Sequence, residues 1–160
     1  MSHVPLGLQL LLVLQVAVAM LFGGIIGIER ELADKPAGLR THMLTAGAAA
    51  LLVGLSRTLV LQFGGLDAPV DADPVRIVQA IVIGVSIISA GTIFRDKNVN
   101  HVEGLATAAS LLIAASLGIA AALGQYVTGL VSALLIIAVL RLMKALDDHL
   151  NRISREKSGR

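Results

Sequence analysis

Apolar residues fall into five runs separated by short polar breaks: Leu6–Ile28, Met43–Phe63, Val75–Phe94, Leu105–Leu123 and Val127–Met143. A helix needs about 20 mainly apolar residues to cross the hydrocarbon core of a bilayer. The runs meet or approach that length. The fifth is short and follows the fourth after Gly124-Gln125-Tyr126, a spacing that predicts a tight helical hairpin. The pattern predicts an all-α integral membrane protein, a bundle of about five transmembrane helices with short loops. The spanning part covers 1–146, and 147–160 is a short basic tail.

The breaks carry turn chemistry. Pro36 and Gly38 interrupt the first loop, Gly64-Gly65 and Pro69 end the second run, and Asp73-Pro74 opens the third. Asp at the N-cap with Pro at the first helical position is a favoured helix start. The first run begins without a preceding Lys or Arg and is too long for the apolar region of a signal peptide, so it reads as a retained span.

Composition agrees. The chain is 56% hydrophobic and 15% charged, against about 25% charged for a soluble domain. Absence of cysteine excludes disulfides, thiol chemistry and cysteine metal sites. Trp is absent and Tyr126 is the single Tyr, so Lys, Arg and Phe must anchor the helix ends. Basic residues decide the orientation. Arg30, Lys35 and Arg40 lie in the first loop, Arg95 and Lys97 in the third, and Arg141, Lys144, Arg152, Arg155, Lys157 and Arg160 towards the end. With five spans these fall on one side, which the positive-inside rule makes cytoplasmic. The N-terminus is then expected outside and the C-terminus in the cytoplasm.

The stretch Gly23–Thr45 concentrates the candidate chemistry. Glu29, Arg30, Glu31, Asp34, Lys35 and Arg40 lie between two runs that carry almost no charge. Glu29, Arg30, Glu31, Asp34, Arg40 and Thr41 form the candidate functional cluster. Glu29, Arg30 and Arg40 are expected to meet where the helices leave and re-enter the membrane, with Thr41 as N-cap of the returning helix. Such carboxylates suit Mg²⁺ held through water, but their spacing singles out no metal. Gly23 and Gly27 stand one turn apart, and Ala106, Ser110, Ala114, Gly118 and Ala122 recur every fourth residue. Small residues so placed let helix backbones approach closely in lipid. Gly23, Gly27, Gly84, Gly91, Gly104 and Gly118 are the expected helix-packing positions. Arg57, inside an apolar run, is expected to snorkel to the outer interface. The hydroxyls within the spans are expected to bond back to their own helices. His3, His42, His101 and His149 lack ligand spacing. No catalytic, phosphate-loop or dinucleotide motif occurs, so no enzyme activity and no cofactor are expected.

Five blocks together resemble one family. They are Gly-Ile-Glu-Arg-Glu (27–31), Ala-Gly-Leu-Arg-Thr-His-Met-Leu (37–44), Asp-Pro-Val-Arg-Ile (73–77), Gly84 to Ala90-Gly91, and Val-Glu-Gly-Leu-Ala-Thr-Ala-Ala-Ser (102–110). In order and spacing the chain resembles the transmembrane region of the MgtC/SapB family over roughly 10–125, as a divergent short member. Ser86 and Ser89 stand where the family typically has glycine, Glu103 where it has arginine, and Leu112 where it has tryptophan. The resemblance implies a bacterial inner-membrane protein tied to magnesium homeostasis and to survival inside host cells. It implies a regulatory or interaction role, with a transporter or channel for an ion or small solute as the alternative. The expected partners are the lipid bilayer, other membrane proteins and a second copy of the chain, and not nucleic acid.

Overall fold

The computed structural model describes residues 4–63, 73–95 and 102–158. Five helices follow one another: α1 Leu6–Leu32, α2 Leu39–Phe63, α3 Pro74–Ala90, α4 Leu105–Ala122 and α5 Tyr126–Ser158. Two short strands, β1 Phe94–Arg95 and β2 Val102–Glu103, pair antiparallel between α3 and α4. The sequence pattern carries no sign of them. The loop at Gly64-Gly65 and Pro69, with His3 and His101, lies outside the described residues.

Among the described residues four helices, α1, α2, α4 and α5, are long and apolar enough to cross a membrane. The chain is a multi-pass membrane protein by that measure. The third run ends earlier than its apolar length suggests. Gly91 caps α3 and Thr92 Oγ1 donates to Ser89 O at 2.7 Å, so the helix stops at Ala90. Its 17 residues span about 25 Å. Its start follows the sequence: Pro74 is the first helical residue, and Asp73 Oδ1 accepts from Val75 N–H at 2.9 Å. At the other extreme, α5 continues unbroken past Leu146 to Ser158, so the basic tail is a helical extension.

Three helices make the core. α1 presents Gln15, Ala19, Phe22, Gly23, Ile26 and Gly27 at helical spacing. α2 faces it with His42, Ala46, Ala49, Ala50 and Val53, and α4 completes it with Leu111, Ala114, Leu117, Gly118 and Ala121. Glycine and alanine make up more than half of these positions. In lipid, where apolar surface gains little by leaving its solvent, packing has to come from close backbone approach. α3 and α5 are hung on this core with less burial. α3 buries Ile81 and Ser89, and α5 seats Gly129 against the Phe22 ring beside buried Ala133.

Candidate functional site

The charged end is built on main-chain contact between α1 and α2. A Cβ at Gly23 would strike the carbonyl oxygen of His42, and one at Gly27 would come 2.7 Å from Leu39 Cα. The first turn of α2 therefore lies directly on α1. Gly118 of α4 similarly rests on the carbonyl of Ala46. Gly104, at φ +90°, abuts the Thr92 carbonyl and sets the start of α4 against the end of α3. Gly84 and Gly91 behave differently from the expectation. A Cβ at Gly84 would meet nothing within 4 Å, and one at Gly91 only Ile88 O of its own helix.

α1 runs one turn beyond its apolar run, which ends at Ile28, and so carries Glu29 and Arg30 inside the helix. Both are buried, and Arg30 Nε donates to Glu29 Oε2 at 2.9 Å. Arg30 Nη1 is enclosed with no acceptor among the described residues. Arg40, expected to pair with Glu29, is exposed. The reason lies in where α2 begins. It starts at Leu39, not after Thr41, so His42 and Ala46 turn towards α1 and Arg40 and Thr41 point away. Thr41 is no cap; its carbonyl accepts from Thr45 Oγ1 at 2.8 Å.

The start of α2 is capped from α1 instead. Glu31 Oε2 accepts from Leu39 N–H at 2.8 Å, and the same carboxylate fills the space a Cβ at Gly38 would need. A carboxylate at a helix N-terminus satisfies an orphan donor and complements the helix dipole. Between the helices, Asp34 N–H bonds Glu31 O and Lys35 N–H bonds Arg30 O, both at 3.1 Å, with Asp34 at φ +53°. This is a Schellman turn with Asp in the left-handed position that usually holds Gly. Asp34 thus shapes the turn and lies apart from the buried pair.

His42 is fully buried. Its Nδ1 lies 2.9 Å from Gly38 O and its Nε2 2.9 Å from Ser110 Oγ on α4. Ligand spacing, which marks a metal site, does not mark this bond. The available signal is an imidazole on the small-residue face of α2, opposite a face of α4 that buries two hydroxyls, Thr107 and Ser110. At the opposite end, Arg57 Nη1 donates to Ala122 O at 3.2 Å. The preceding carbonyls of α4 are used within its own turn, Ala120 O by Gln125 N–H and Ala121 O by Gly124 N–H. Arg57 of α2 therefore supplies a donor to a carbonyl at the C-terminus of α4, rather than only reaching for water. Among the described residues no group of three or more His, Asp or Glu could hold a metal ion.

Comparison with known proteins places these features in a lineage. The MgtC family model matches residues 16–149, which takes in α1 from its third turn and all of α2, α3 and α4. The chain belongs to the MgtC family. The match contains both the buried Glu29–Arg30 pair and the His42–Ser110 bond. Other members align over most of the chain. "Putative magnesium transporter YhiD" of Escherichia coli K12 is 34% identical over 135 residues, 84% of this chain and 61% of its own length. "Protein MgtC" of Salmonella typhimurium is 32% identical over 147 residues, 92% of this chain and 58% of its own. An uncharacterised Haemophilus influenzae protein is 28% identical over 149 residues, 93% of this chain and 62% of its own. The chain thus spans about three-fifths of the length of these curated relatives. No solved structure matches.

Proposed function

We propose that this MgtC-family chain is a non-catalytic regulatory protein of a bacterial inner membrane, linked to magnesium supply and acting by docking other membrane helices. The end carrying Glu29 and Arg30 faces the cytoplasm in this reading, and the end carrying Arg57 faces outward. The observation that carries it is the main-chain seam. α1, α2 and α4 touch through Gly23, Gly27 and Gly118, Glu29 is paired with Arg30, and His42 is bonded to Ser110. A conduit needs polar groups turned to a water-filled path. Meanwhile α3 and α5 offer apolar side chains outward, among them Ile83, Ile87, Leu134 and Leu135. Docking through such faces fits a protein that acts on others.

The printed name of the Escherichia coli relative favours transport. Magnesium flux into proteoliposomes, run beside low-magnesium growth of a deletion strain, separates the two. The expected result is flux equal to that of empty vesicles with growth restored by the wild-type chain. Flux above empty vesicles overturns the docking reading in favour of transport. Reporter fusions at Gln125 and after Ser158 are expected on opposite sides of the membrane, and a shared side overturns the orientation.

A further inference from the structure

α2 and α3 stand apart along much of their length. Ala48 and Ala49 of α2 face Ala80 and Gly84 of α3 across a groove of about 680 Å³. These small residues line an open channel rather than touching, which is why a Cβ at Gly84 would meet nothing. The groove adjoins a second cavity of about 550 Å³, with Ser56 and Ile77 lining both. Arg57 lines this second cavity, beside Val60 and the first turn of α3. From Thr45 to Val60 the two run about 22 Å along α2. One leaflet of the hydrocarbon core is about 15 Å deep.

We propose that this groove is a binding site for a single anionic phospholipid, its acyl chain along α2 and α3 and its phosphate on Arg57. The apolar length suits a chain that enters from one leaflet. The guanidinium lies level with the last turn of α4, where a headgroup begins, since it reaches Ala122 O. Its remaining N–H groups have no protein acceptor among the described residues, and a guanidinium matches phosphate oxygens in a bidentate geometry. The described lining residues include no carboxylate to receive the ammonium of a zwitterionic lipid. Nearby Asp73 is engaged with Val75 N–H and Arg76. A transmembrane helix of a second copy seated in the groove would have to cover Arg57 without neutralising it, which is costly in lipid. The assignment is independent of whether the protein regulates or transports.

Native mass spectrometry of the detergent-purified chain tests it, with phosphatidylglycerol and phosphatidylcholine of matched acyl chains. One phosphatidylglycerol is expected to be retained about tenfold more strongly, the worth of one charge-assisted bond. Arg57→Gln is expected to erase the preference, and Arg40→Gln, exposed at the far end, to keep it. Gly84→Phe fills open space without meeting a neighbour and is expected to reduce retention of both lipids at an unchanged Tm. Equal retention of the two lipids by the wild-type chain, or a preference that survives Arg57→Gln, overturns the proposal. So does a Gly84→Phe variant that holds lipid normally but loses a dimer seen in the wild type, which would give the groove to a second copy.

Discussion

His42 Nε2 and Ser110 Oγ lie 2.9 Å apart and join α2 to α4 inside the core. The Gly38 carbonyl on the other side of the ring can only accept, so Nδ1 carries a hydrogen. In a neutral ring Nε2 then accepts, and the Ser110 hydroxyl must point at it rather than at Thr107 O, 2.8 Å away. The alternative, a ring protonated on both nitrogens, would let Ser110 bond Thr107 O. The hydroxyl can serve one acceptor at a time, so its direction and the proton count of His42 are one property.

Ser110→Ala removes the partner of a buried ring nitrogen and is expected to cost about 1–3 kcal/mol. Ser116→Ala, whose exposed hydroxyl bonds its own helix at Leu112 O, is expected to change stability by less than about 0.5 kcal/mol. Tm values of both variants in detergent check the contrast; equal shifts would mean that the interhelical bond contributes nothing.

Gly118→Ala pushes a methyl group against the Ala46 main chain, which cannot swing aside as a side chain can. The expected loss is roughly 1–3 kcal/mol. Gly84→Ala, facing open space, is expected to be neutral. Chemical unfolding of the pair in mixed micelles reads the difference, and a harmless Gly118→Ala would show that the seam is loose.

Arg30→Met leaves Glu29 buried and unpaired, with an expected loss of about 3–5 kcal/mol. Adding Glu29→Gln to it should recover much of that, because the stranded charge is then gone. Arg40→Ala, on the outward side of α2, is expected within about 0.5 kcal/mol of wild type. Thermal shift of the three proteins decides. A large effect at Arg40 would restore it to the buried cluster.

Asp34 occupies the left-handed position of the α1–α2 turn. A β-branched residue there is strained, so Asp34→Val is expected to lose roughly 1–2 kcal/mol while Asp34→Gly loses nothing. Comparable losses for both would point instead to the carboxylate.

Helix number and the α1–α2 contact were legible because both are periodic. Run lengths show which segments are long and apolar, and Gly23 and Gly27 share a face whatever lies opposite. What sequence left unread depended on position to within one residue. Starting α2 at Leu39 instead of beyond Thr41 turns Arg40 outward and His42 inward, since each residue advances the helix by about 100°. The partner of His42 was hidden for another reason. Ser110 lies on a different run, and nothing local states which hydroxyl will face the ring. Gly84 shows the converse. A small residue makes close approach possible without requiring it, and here α3 stays back. Arg57 is expected to snorkel, and its bond to an unfinished helix end on α4 could not be read from its own run.

Where α1, α2 and α4 meet, the surfaces in contact at Gly23, Gly27 and Gly118 are largely backbone. Substitution there is a one-way street. Every codon change away from glycine adds atoms, and no further trimming is available to make room. Adjustments that other contacts make by exchanging a larger side chain for a smaller one are closed at these three glycines. Innovation in such a chain is displaced to its outer helices, where α3 and α5 can trade bulk freely while the three-helix centre keeps its shape.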